Sequence, residues 1–223
     1  MRVDSIMKNH KKHGQCAYCG AIGPLTDDHI PPKNIFPKPR ASNLITVPCC
    51  ITCFEGWSKD DEYFRAAIIS SYKVSDEPSA CSVINTLIRS ANRSEGFALL
   101  LKNSIKDVDV FTEAGIYLGQ EGAFKLDVNR IDRVAQRIIR GLFFNAKGYP
   151  FPTNYQVIAK IQQFGLNDIL EKLQGINFPP LIIIQNGIFC YTYHETIEDV
   201  NSGVWILLFY GTLPIVGITK PYS

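Results

Sequence analysis

The chain has 223 residues, a formal net charge of +2, 46% hydrophobic residues and 20% charged residues. That balance excludes an intrinsically disordered chain and allows one substantial domain, or a small metal-stapled module joined to a larger one. No apolar run reaches the roughly 20 residues of a spanning helix, and the polar, basic start through Lys12 carries no secretory apolar region, so no membrane partner and a cytoplasmic location are expected.

From Gly14 to Arg65 the chain is rich in Cys, Pro, Gly and Asp, with short apolar runs such as Leu44-Ile45-Thr46-Val47. This pattern suits two short strands and a following helix held by metal rather than by a large core. Cys16-x-x-Cys19 and Cys50-x-x-Cys53 supply the metal ligands, because each short turn aims two thiolates at one ion and a zinc ion would close the loop between the pairs. Seven cysteines is an odd number, which argues for thiols in a reducing compartment rather than a disulfide framework. Cys49 lies beside Cys50 and competes with it for the second pair, but the Cys50 to Cys53 register mirrors the first. Cys81 and Cys190 stand alone in apolar surroundings and read as core residues.

Basic residues dominate the chain through Arg40: Arg2, Lys8, Lys11, Lys12, Lys33, Lys38 and Arg40 stand against Asp4, Asp27 and Asp28. Around a metal loop such an excess attracts phosphates, although Lys8 to His13 alone reads equally as a solvated tail. A helix is expected to start at Ser58, a capping residue followed by Asp60, Asp61 and Glu62, and to run to about Tyr72.

Residues 77 to 106 read as helical, with Val83, Leu87, Ile88, Leu99, Leu100 and Leu101 as apolar positions, and residues 108 to 126 as a short strand pair. An amphipathic helix follows at Val128 to Phe144, with Ile131, Val134, Ile138 and Leu142 on its buried stripe. Arg130, Arg133, Arg137 and Arg140 recur along another side of it. They suit either a DNA backbone or a solvated face paired with acids. Gly148, Pro150 and Pro152 end this helix. Further helices are expected at Asn154 to Phe164 and Asn167 to Gln174, before a tail from Leu181 to Thr219 with strand chemistry punctuated by glycines.

The run Asp28-His29, then Asn43 fourteen residues later, then a Cys-x-x-Cys opening a helix, resembles the zinc-bound HNH nucleases. The resemblance covers about residues 14 to 65, with Asn43 to Cys53 similar to that family's second strand and knuckle and Ser58 to Arg65 similar to the continuing helix. It implies an α+β fold with a zinc-stapled ββα-metal module over residues 1–75, followed by a mixed helical and strand region over 76–223. It further implies an endonuclease that hydrolyses nucleic-acid phosphodiester bonds, DNA rather than RNA.

In that reading His29 is the general base, since imidazole titrates near neutral pH. Asn43 orients its ring, and Asp28 holds one magnesium or manganese ion, distinct from the structural zinc. The family places Asn or His directly after the last cysteine; here that residue is Phe54, which cannot bind a metal. Glu55 is then the expected second oxygen donor, with Asp60 or Asp61 as substitutes. Lys33, Lys38, Arg40, Arg137 and Arg140 are the expected phosphate contacts. The alternative is a catalytically degenerate, zinc-stapled module that binds nucleic acid or protein. A protein partner is expected, if anywhere, through the region after residue 75.

Overall fold

The computed structural model describes residues 12–71 and 78–222. The expected boundary at residues 75 and 76, the expected helix end at Tyr72 and the basic residues before Lys12 lie outside them.

The first third forms an antiparallel three-stranded sheet in the order β1 (Lys12–Gln15), β2 (Ile22–Ile30) and β3 (Ile45–Cys50). Two helices follow, α1 (Ile51–Glu55) and α2 (Ser58–Ile69). Trp57, not Ser58, occupies the position before α2, and no side chain caps this end, so the expected serine cap is replaced by Asp60 and Asp61 in the first turn. Acids there complement the dipole without a cap.

The single helix expected over 77–106 is two. α3 (Pro78–Arg93) and α4 (Glu95–Ser104) meet at Ser94, whose side chain accepts from the Phe97 N–H. A serine at this point satisfies the free N–H groups of a new helix, so the break is favourable. Val83 and Leu87 are buried, whereas Ile88 and Leu99 are exposed. The hairpin β4 (Ile105–Phe111) and β5 (Tyr117–Phe124) comes next.

α5 (Val128–Lys147) begins at Asp127, which accepts from the Arg130 N–H, and ends at Gly148 in the left-handed region, φ 78°. Glycine adopts that φ without steric cost. Ile131, Val134, Ile138 and Leu142 are buried as expected, joined by Ala135, Ile139 and Phe143. At roughly 1.5–3 kcal/mol for each large apolar side chain, this stripe is a principal source of stability.

The segment 154–164, expected to be helical, is instead strand β6 (Tyr155–Ile161). Val157 and Ala159 are buried while Ile158 and Lys160 alternate outward, a period of two that pairing with β10 (Leu213–Pro221) makes favourable. A short helix α6 (Leu166–Lys172) precedes β7 (Ile182–Gln185), β8 (Phe189–Glu195) and β9 (Gly203–Phe209). The five strands form one antiparallel sheet in the order β6, β10, β9, β8, β7.

α5 lies between the three-stranded and the five-stranded sheet. A Cβ at Gly217 of β10 would meet Ile139 Cδ1 of α5, so the glycine lets the Ile139 side chain lie against the strand. One cluster of buried side chains runs from Cys16, Ile30 and Val47 through α2 and α5 to Trp205 and Ile215. Residues on both sides of the 72–77 segment share this core.

Candidate metal centre and its surroundings

The first cysteine pair sits in the turn after β1, closed by the Cys16 N–H to the Ala21 carbonyl at 2.9 Å and the Gly20 N–H to the Cys16 carbonyl at 3.0 Å. The second pair spans the end of β3 and the first turn of α1. The Ala17 N–H donates to the Pro48 carbonyl at 2.8 Å, which docks the two turns. The Sγ atoms of Cys16, Cys19, Cys50 and Cys53 all lie within 4.8 Å of one another. Cys19 Sγ and Cys50 Sγ are 3.7 Å apart. That is close to the edge of about 3.8 Å expected for a tetrahedron with zinc–sulfur bonds of 2.3 Å, and far above the roughly 2.05 Å of a disulfide. The four cysteines can hold a metal ion.

The electrostatics fit that role. Burial works to raise the Cys16 thiol, yet backbone N–H groups of Cys19, Cys50 and Tyr18 bring it down to about 7. Burial and neighbouring sulfurs push Cys53 up, a repulsion that a dication offsets. Cys49 is buried and is not one of the four cysteines whose sulfurs converge, so the Cys50 to Cys53 register holds. Cys81 is exposed and Cys190 half-buried. The expectation that Cys81 belongs to the core is corrected: it lies on the outer face of α3, next to the buried Ala80.

Asp28 and His29 are neighbours on β2 and therefore face opposite sides of the sheet. His29 pairs with Thr46 and is half-buried. Burial and the charge of Lys33 hold its imidazole below the ordinary value, with Arg40 adding to this and Asp28 and Asp27 opposing it. A neutral ring at pH 7 can accept a proton.

Asp28 faces inward at 6% exposure. Its Oδ2 accepts from the Tyr18 hydroxyl at 2.6 Å, and Arg137 Nε lies 3.9 Å away. Burial and the carboxylate of Asp28 push the Tyr18 phenol upward, so it stays protonated and donates. Arg137 also donates from Nη2 to Asp61 Oδ1 at 2.5 Å, and its guanidinium lies 4.8 Å from the Trp57 ring centroid. Burial raises Asp61 to about 6, reinforced by Asp28 and Asp60 and opposed by Arg137. Tyr18, Asp28, Arg137, Asp61 and Trp57 thus form one buried network linking β2, α2 and α5.

Several expected site residues stand elsewhere. Arg137 is 4% exposed and paired inside the protein, so it cannot meet a phosphate; the expected contact is an internal ion pair. Arg140 is half-buried, with its guanidinium 5.5 Å from the Phe151 ring centroid. Arg130 and Arg133 both bind Asp60, at 2.7 and 3.1 Å. Arg130, Arg133 and Arg137 therefore hold α5 to α2 and do not form a free cationic face, and Asp60 and Asp61 are committed as their partners. Asn43 is exposed in the turn before β3, and among the described residues no hydrogen bond joins it to His29. Phe54 and Glu55 are exposed on α1, and Asp28, His29 and Glu55 do not converge into one ligating group among the described residues. Glu55 does not supply the missing oxygen because α1 carries it outward. Lys33, Lys38 and Arg40 are exposed, as a phosphate contact requires, and Arg40 Nε donates to the Lys33 carbonyl at 3.0 Å.

Tyr18 and Trp57 were not expected in this network. For Arg137 a signal existed: it stands three residues after Val134 and four before Gly141, on the stripe that packs inward. Among the described residues no helix is long and apolar enough to cross a membrane. No known protein family matches the chain, and no curated protein or solved structure is significantly similar to it.

Proposed function

We propose that this chain is a nuclease of the HNH type that hydrolyses nucleic-acid phosphodiester bonds, DNA in preference to RNA, with zinc at Cys16, Cys19, Cys50 and Cys53. The observation that carries the reading is the setting of His29. A half-exposed imidazole kept neutral by its surroundings sits on the strand next to the thiolate cluster, with Lys33 and Arg40 close enough to act on its charge. His29 takes the proton from an attacking water, while Lys33 and Arg40 draw the phosphate and offset its charge. The cysteine cluster fixes one end of the β2 and β3 pair, where Leu25 faces Cys50, and the ladder carries that register along to His29 opposite Thr46.

The family resemblance implies a magnesium or manganese ion on Asp28, but the donor set does not fit one readily. Asp28 already accepts from Tyr18 and faces Arg137, and Glu55 lies apart. The test is incubation of the purified chain with supercoiled plasmid and magnesium or manganese. Cutting that disappears in His29→Ala supports the reading; cutting that persists unchanged, or is absent under every divalent ion, removes it.

That internal balancing of Asp28 favours a second reading, a zinc-stapled module that binds nucleic acid without cleaving it. It expects salt-dependent DNA binding and no hydrolysis. In either reading residues 76–223 are where a protein partner would act.

A further inference from the structure

Arg65 of α2 is a buried cation without a carboxylate contact among the described residues. It is 3% exposed, its Nη2 donates to Ser90 Oγ at 3.0 Å, and its Nε has no hydrogen-bond partner. Burial lowers its affinity for the proton, and Glu62 opposes this only at a distance, since no ion pair joins them among the described residues. A buried guanidinium left in this state is costly, so a protein that keeps one usually has an anion for it.

Arg65 lines a cavity of about 430 Å³ between the 34–40 segment, α2 and α3. Lys38, Arg40, Arg89 and Arg93 line it too, and no Asp or Glu does among the described residues. Arg89 is held in place by its own helix, through Nε to the Asn85 carbonyl at 3.2 Å and Nη2 to Thr86 Oγ1 at 3.3 Å. Asn34 also lines the cavity; its Nδ2 donates to the Asp61 carbonyl, while its Oδ1 is buried and without a partner. The wall thus offers an unused charged donor and an unused acceptor within one concave space.

We propose that this cavity binds a phosphate group of a nucleotide, anchored by Arg65, with Lys38, Arg40, Arg89 and Arg93 around it and Asn34 Oδ1 accepting from a sugar hydroxyl or base amino group. Guanidinium groups match phosphate oxygens in pairs, and a cavity of this size holds one nucleotide rather than a duplex. The nucleotide is either a unit of a strand or a free molecule; the phosphate chemistry is the same. The site extends the nucleic-acid reading through Lys38 and Arg40, but it does not depend on hydrolysis.

Calorimetric titration of the full chain at low salt with inorganic pyrophosphate and with a 12-nucleotide DNA strand tests it. His29→Ala is expected to bind both as the wild type does, which separates this site from the proposed general base. Arg65→Gln is expected to weaken binding of at least one by about tenfold or more, the scale of one charge-assisted hydrogen bond to an ion. Arg93→Gln, an exposed change at the rim, is expected to weaken it several-fold and keeps the test decisive should Arg65→Gln fail to fold. Loss of pyrophosphate binding alone marks a free nucleotide, and loss of strand binding marks a polymer. A wild type that binds neither, or folded variants that bind both unchanged, overturns the proposal.

Discussion

Gly141 of α5 lies so close to Ile30 at the end of β2 that a Cβ on it would stand 2.6 Å from Ile30 Cδ1 and 3.3 Å from the Tyr18 hydroxyl. Residue 30 follows His29, so the helix packed against the three-stranded sheet at Ile30 constrains the position of the candidate base. Gly141→Ala forces that contact apart, and overpacking of this kind costs about 1–3 kcal/mol. Chemical denaturation should show the loss. An unchanged midpoint would mean that β2 and α5 shift freely, and that the helix does not fix His29.

Removing one thiolate separates a metal site from four idle cysteines. Cys50→Ser is expected to abolish stoichiometric zinc, read as metal per chain by mass spectrometry, and to lower the melting temperature. A chelator should lower the wild type in the same way, because metal bound only to the folded chain stabilises it. Equal melting curves with and without chelator would count against a structural ion.

His29 titrates below the ordinary imidazole value of about 6.5. Since the folded ring binds its proton less readily than the unfolded one, the unfolded state holds more protons in the window just below that value. Stability from this group is therefore full above about pH 6.5 and is lost as pH falls towards the folded value. The proposed hydrolysis would need the neutral ring, so its acid limb is expected in the same window. An NMR titration of the His29 ring that reports a value above 6.5 would contradict both.

The pair Arg137 and Asp61 is buried, with side chains 5% and 21% exposed. Arg137→Ala leaves Asp28 and Asp61 facing each other without their shared cation, a loss of about 3–5 kcal/mol for one partner removed from a buried pair. The double change Arg137→Met with Asp61→Leu is expected to recover part of it. Should Arg137→Ala weaken DNA binding while leaving stability intact, the internal assignment of this arginine would fail.

Lys33 and Arg40 are exposed beside His29. Neutralising either one is expected to weaken DNA binding across sequences and to reduce the slope of log affinity against log salt by about one unit. Arg133→Gln, at a residue already bound to Asp60, should change that slope much less.

The cysteine pairs show how far local pattern reaches. Cys16, Cys19, Cys50 and Cys53 were legible because short turns dictate where their sulfurs go, whereas the two strands and one helix expected around them are three strands and two helices, since β1 adds to the sheet by pairing with β2. The buried stripe of α5 was legible for the same reason, a period of 3.6 residues. Segment 154–164 was not, because its alternation is short and its strand state depends on pairing with β10, more than fifty residues away. The split of 77–106 was missed because one serine outweighed a continuous apolar pattern.

The sequence by itself determined which cysteines can share a metal ion and that α5 buries a stripe, since spacing and residue type act over a few positions. Only the tertiary structure decided what each charge meets: Asp28 turned inward to Tyr18 and Arg137, Glu55 outward, Arg130, Arg133 and Arg137 onto Asp60 and Asp61, and Arg65 into a cavity without an acid among the described residues. The physical reason is range. A turn or a helical period is set by neighbours in the chain, whereas the partner of a charge is chosen by how distant elements pack.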